Sequence, residues 1–202
     1  MNLSQLQQMP LRVRVLSQHE AAHYVTALAL GFDAQEITLQ VQSLDAHRGK
    51  ARTDCIARCE SLLELQEFMR CRILIILAGA MGEAINRTTY EVDGKAAYKI
   101  LDEGSTGAGQ DFAVAKELIL LLHNSLPVSV NPQTGKGQTS KDLLVEFLGE
   151  ALAWVTINAR PICDLADVLT ERVVAGRGSG GLQKAEIEQL PFYYHIQRSF
   201  DV

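Results

Sequence analysis

Apolar positions in this chain recur mostly at helical spacing. Val13, Leu16, Ala21, Val25, Ala29 and Leu30 mark a helix over residues 11–30, and Gly31 follows where such a helix would stop. The period then changes. Glu36-Ile37-Thr38-Leu39-Gln40-Val41-Gln42 alternates polar and apolar residues, the pattern of a half-buried strand. A turn around Asp45 to Gly49 leads to a second expected strand over 50–57, and the two would pair as a hairpin. Ser61 with Glu64 three residues later reads as a capping box opening a helix that runs to about Ile85. The stretch from Ile73 to Gly82 is apolar nearly all round, which sends it to the core; it is too short to span a bilayer. Further helices are expected over 94–103, 109–122, 140–158, 161–175 and 184–190. Pro127, Pro132, Gly135 and Gly137 mark an exposed connection over 127–139, and residues 176–181 read as a flexible link. The expected class is mainly α with a small β-sheet, a single domain over residues 1–202.

Composition narrows the possibilities. With 47% hydrophobic residues the chain can bury a real core. A net charge of −5 without a Lys/Arg cluster argues against a nucleic-acid partner. The first eight residues, Met1 to Gln8, lack the basic start and apolar run of a signal peptide, so a cytoplasmic protein with no membrane partner is expected. Cys55 and Cys59 are spaced closely, but no second pair follows at zinc-site spacing. The four cysteines, with Cys71 and Cys163, are expected as buried or half-buried thiols.

The chemistry concentrates in His19-Glu20-Ala21-Ala22-His23. This H-E-x-x-H pattern lies inside the first helix, where residues four apart share a face and both imidazoles can reach one metal ion. Glu20 then projects toward the position of an attacking water, as a general base. A catalytic zinc site takes three protein ligands. The residues after His23, Tyr24-Val25-Thr26-Ala27-Leu28-Ala29, lack the short-range extension that supplies a third histidine. His47, His123, His195 or a carboxylate brought in by the fold remain as candidates.

Three ordered blocks carry a resemblance to a known family. His19-Glu20-Ala21-Ala22-His23 is similar to the His-Glu-Ala-Gly-His of the zinc peptidase domain of FtsH-type AAA proteases. Leu77-Ala78-Gly79-Ala80-Met81-Gly82-Glu83-Ala84-Ile85 resembles the Gly-Gly-Arg-Ala-Ala-Glu-Glu-Leu helix of that domain, with Gly79 and Glu83 in place. Ser105-Thr106-Gly107-Ala108-Gly109-Gln110-Asp111-Phe112 resembles its Thr-Thr-Gly-Ala-Ser-Asn-Asp-Leu block. The likeness covers residues 15–125 and is weaker over 160–190.

The resemblance implies an FtsH-type zinc peptidase-like helical domain holding Zn2+ on His19, His23 and Asp111. It implies Glu20 as the catalytic base. Glu83 would bond to a ligating histidine from behind. Ile37, Thr38 and Leu39 would border the substrate groove. The implied activity is a zinc metalloendopeptidase cleaving flexible or unfolded polypeptides.

Departures from the family are plain. Ala22 and Ala80 replace a glycine and an arginine, and the stretch from Asn86 to Gly104 is longer than the family's connection. Neither a membrane anchor nor an ATPase module is read in these residues. ATP-independent cleavage is therefore expected, with a separate ATPase in trans and a homo-oligomer as candidate partners. The rival reading is a non-catalytic binding or assembly module with the same fold. An unrelated helical domain would leave His19, His23 and Asp111 apart.

Overall fold

The computed structural model describes residues 3–43, 46–54, 58–104, 107–127 and 137–199, with side chains from residue 9 onward. Its axis is helix α1 (Leu3–Ala29). Between Leu16 and Ala29 nearly every side chain is buried, including the polar Ser17, Gln18, His19, Glu20 and Thr26. A helix hydrophobic on one stripe only would leave such groups in water, so their burial asks for a reason. The helix starts earlier than its apolar spacing predicts and runs through Pro10, losing one intrahelical hydrogen bond there. It stops at Gly31, whose φ of 82° suits glycine alone without strain.

Strand β1 (Asp33–Val41) and strand β2 (His47–Asp54) form the expected hairpin, with Thr38 opposite Lys50 and Leu39 opposite Gly49. The second strand begins three residues before its expected start; residues 44–45 and 55–57 lie outside the described residues. A third strand, β3 (Ser179–Gln183), pairs with the other edge of β1, giving the antiparallel order β2-β1-β3. This corrects the flexible link expected over 176–181. The glycines there serve close approach rather than mobility. A Cβ on Gly180 would lie 2.6 Å from the Arg172 carbonyl carbon, and one on Gly181 would lie 2.8 Å from the Ile37 carbonyl oxygen.

Helix α2 (Leu62–Glu83) lies against α1. Its start is capped as the pattern implies: the Ser61 hydroxyl accepts the Glu64 N–H at 3.2 Å. The reciprocal bond shifts by one residue, because the Glu64 carboxylate accepts the Glu60 N–H at 2.7 Å. Every residue from Ile73 to Gly82 is buried. Gly82 lets the two helices meet closely, since a Cβ there would lie 2.5 Å from that of Ala22 and 2.6 Å from the Gln18 carbonyl oxygen. Gln18 Nε2 also donates to the Gly82 carbonyl at 2.9 Å, which settles one of the buried polar groups of α1.

The long connection after α2 is ordered. An Ile85–Val92 bridge leads to helix α3 (Gly94–Glu103), whose Asp93 side chain accepts the N–H groups of Lys95 and Ala96. Helix α4 (Ala108–Ser125) follows. Within its apolar run Ile119 and Leu122 are core, while Leu120 and Leu121 are exposed. The middle of the Pro/Gly connection, residues 128–136, lies outside the described residues. Helix α5 (Ser140–Ile157) opens on a complete Thr139–Asp142 capping box, and helix α6 (Ala159–Ala175) packs on α1. A short α7 (Lys184–Ile187) and a 3-10 turn (Pro191–His195) close the chain, with Phe192 buried and Tyr194 exposed. The fold is thus mainly helical with a small three-stranded antiparallel sheet. No helix among the described residues is long and apolar enough to cross a membrane.

Phe147 of α5 is fully buried, with the Arg70 guanidinium 5.0 Å above its ring. Phe147→Ala should cost about 3–5 kcal/mol in urea unfolding; a loss below about 1 kcal/mol would contradict this packing.

Candidate metal centre

The buried polar face of α1 meets α2 and α4 at one point. His23 Nε2 lies 3.0 Å from His19 Nε2, and Asp111 Oδ2 lies 3.1 Å from His19 Nε2 and 3.2 Å from His23 Nε2. These three donor atoms form a nearly equilateral triangle. Donors in a tetrahedral zinc site stand about 3.3 Å apart, so the triangle is a few tenths of an ångström tighter than a loaded site. His19, His23 and Asp111 are the group of described residues able to hold a metal ion.

The far sides of the rings fix the chemistry of the near sides. His19 Nδ1 donates to Glu83 Oε1 at 2.8 Å, and His23 Nδ1 donates to the Ile75 carbonyl at 2.7 Å. Both acceptors can only accept, so both neutral rings carry their hydrogen on Nδ1. Each Nε2 then presents a lone pair. Two imidazole lone pairs and a carboxylate oxygen therefore face one another, which is unfavourable unless a cation or a proton lies between them.

Glycine leaves room for this cluster. A Cβ on Gly79 of α2 would lie 2.5 Å from His23 Nε2 and 2.7 Å from His19 Nε2. Gly107, just before α4, brings Asp111 in on the first turn of that helix. Asp111 is both a first-turn acid of α4 and the expected ligand, because the helix N-terminus that favours its charge also aims it at the histidines.

Electrostatics follow the geometry. Burial opposes charge on His19, but its hydrogen bonds to Asp111 and Glu83 and the nearby carboxylates outweigh it, raising the pKa to about 10 in the metal-free protein. Burial also works against the Asp111 carboxylate, and the two histidines overcome it and hold the pKa well below the usual range. Burial raises Glu20, against the pull of His19 and His23 and of the Ala51 N–H that its carboxylate accepts.

Metal and proton thus compete for His19 Nε2. Below pH 10 that nitrogen carries a proton in the metal-free protein, so zinc uptake near pH 7 should release about one proton and affinity should climb with pH. Titration calorimetry in buffers of different ionisation heat measures this; an identical heat in every buffer would contradict it. Glu83→Gln, which removes the charge behind His19, should weaken zinc binding about 10–100-fold in competition with a chromophoric chelator, whereas unchanged affinity would mean that the contact is incidental.

A cleft of about 440 Å³ opens over the triad. Its opposite wall is β2. Gly49 lies against the Glu20 carboxylate, where a Cβ would overlap it. Because Ala51 turns its N–H outward to Glu20, strand alternation turns the backbone groups of His47 and Gly49 the same way, away from β1.

The sequence-predicted residues divide cleanly. His19, Glu20, His23, Glu83 and Asp111 converge. Ile37, Thr38 and Leu39, expected to border a substrate groove, do not line the cleft. They sit in the central strand, whose two edges are taken by β2 and β3, and Ile37 and Leu39 are fully buried beneath the sheet.

The turn expected around Asp45 to Gly49 would hold His47. It stands instead in β2, half-buried and lining the cleft, with Nδ1 screened from solvent and without a hydrogen-bond partner among the described residues. The alternation His47-Gly49-Ala51 was its available signal. His123 ends α4, where Nε2 donates to the Gln138 carbonyl at 2.9 Å, and His195 is exposed. Cys59 and Cys71 are half-buried and Cys163 buried; burial raises Cys71 to about 12 and Cys163 to about 11. Cys55 lies outside the described residues.

No protein-family model matches the chain, and no curated protein matches it.

Proposed function

We propose that this chain is a zinc-dependent metallopeptidase of the FtsH-type peptidase fold, with His19, His23 and Asp111 as metal ligands and Glu20 as general base. One observation carries the reading. Two imidazole Nε2 atoms and a carboxylate oxygen converge within 3.2 Å, beside a buried glutamate that follows the first ligand on the same helix. A structural zinc site has four protein ligands, whereas three ligands opening onto a cleft suit catalysis. Glu83 supports the reading, because it backs His19, the contact expected of an acid behind a ligating histidine.

When bound, zinc supplies Lewis acidity, polarising a carbonyl and acidifying water. The protein's own groups do the rest. Glu20 takes the proton of an attacking water and returns it to the departing amine nitrogen. Its raised pKa suits that exchange, since a more basic carboxylate holds the proton better between the two steps. The Ala51 N–H keeps the carboxylate in place. The outward backbone of β2 offers hydrogen bonds to an extended polypeptide laid beside it, so β2 takes the role first expected of β1.

The test is metal analysis of the purified protein followed by cleavage of internally quenched peptides and unfolded casein. Zinc near one per chain, with hydrolysis lost to a chelator and restored by zinc, is the expected result. A zinc-loaded protein that cleaves neither substrate would favour the non-catalytic binding module. Which ATPase or oligomer, if any, serves the protein is part of the proposal only as a candidate partner.

A further inference from the structure

The cleft wall differs in charge from the chain as a whole. Overall the protein is acidic, at −5. Yet apart from Glu20 and Asp111, which the metal chemistry uses, the cleft's charged lining residues are Arg48, Lys50 and Arg72. Arg48 and Lys50 flank Gly49, the residue packed on the Glu20 carboxylate, and both are exposed. Neither has an ion-pair partner among the described residues. Arg52, next on the same face but not lining the cleft, faces Glu36 across the strands at 3.9 Å. Among the described residues Arg48 and Lys50 are thus uncommitted while Arg52 is paired.

We propose that the cleft selects acidic extended peptides, with carboxylates two residues apart engaging Arg48 and Lys50. The proposal rests on the peptidase reading for its chemistry but on β2 alone for its selectivity. A peptide paired with the outward edge of β2 places alternate side chains on one sheet face, beside those of Arg48 and Lys50. Glu-x-Glu spacing matches that face; adjacent glutamates put one carboxylate on the other face. A free C-terminal carboxylate would meet the same cations.

Rhodamine-labelled, C-terminally amidated peptides containing Glu-Ala-Glu, Glu-Glu-Ala or Gln-Ala-Gln, and a Gln-Ala-Gln peptide with a free C-terminus, separate these sources. Binding is read by anisotropy on zinc-loaded Glu20→Gln protein, and cleavage on wild type with quenched versions. Glu-Ala-Glu should bind about tenfold more tightly than Gln-Ala-Gln, with Glu-Glu-Ala between them, and added salt should shrink the gap. Arg48→Glu with Lys50→Glu should reverse the order, while Arg52→Gln, the loss of one charge on the same strand outside the cleft, should keep it. An advantage seen only with the free C-terminus would support the cation site and assign its ligand to the chain end. Equal binding of Glu-Ala-Glu and Gln-Ala-Gln, or an Arg52→Gln effect as large as the double reversal, would overturn the proposal. Selective binding without any cleavage would instead remove the peptidase reading and leave the acidic site standing. Cleavage without charge preference would do the opposite.

Discussion

Glu20→Gln should keep zinc and lose peptidase turnover by about 10²–10⁴-fold. The substitution preserves volume, and the Gln carbonyl oxygen can still accept the Ala51 N–H, so the wall of the cleft stays in place. What disappears is a proton acceptor. The carboxylate is almost fully buried and its pKa is raised by that burial, so replacing it with a neutral amide should not destabilise the fold. Zinc content, melting temperature and quenched-peptide turnover, measured side by side, isolate the effect. Turnover equal to wild type would remove Glu20 from the mechanism.

Gly79→Ala should abolish stoichiometric zinc binding although one methyl group is added. Its Cβ would stand 2.5 to 2.7 Å from atoms of both histidine rings, and α1 and α2 are held together by the Gly82 contact, so the helices cannot simply separate. The rings must swing away from Asp111 instead. Off-rotamer rings and overpacking cost about 1–3 kcal/mol, and misplaced donors lose the metal. Gly149→Ala is the counterpart. There a Cβ meets nothing, the residue is exposed on α5, and the variant should gain about 0.5–1 kcal/mol with zinc unchanged. Retained zinc in Gly79→Ala, judged after dialysis against apo-buffer, would mean that the triad can accommodate the added methyl group.

Much of the site was legible in the sequence because its parts are local patterns. A pair of histidines four apart on a helix declares a shared face without any tertiary information, and Ser61 with Glu64 marks where the supporting helix begins. The third ligand is different. Asp111 is separated from His19 by 92 positions, and only the resemblance between short blocks pointed to it.

What stayed hidden depended on which surfaces touch. The glycines of 176–181 read as a link because glycine has two uses, freedom and thinness, and only the neighbouring Arg172 and Ile37 backbones decide between them. The choice of strand beside the His19–His23–Asp111 cluster also lay beyond periodicity. β1 alternates more clearly than β2, but clear alternation marks the strand buried in the middle. The strand that lines the cleft has mostly polar and small residues, His47-Arg48-Gly49-Lys50-Ala51, with little apolar signal to read.

The exposed edge of β2 has a second consequence, for the protein's behaviour in concentrated solution. A strand edge with outward N–H and C=O groups is a template for any chain, including another copy of itself. On β2 the row Arg48, Lys50, Arg52 makes two such edges repel when they approach in register. Neutralising that row should therefore increase self-association as concentration rises, whereas reversing its sign should not.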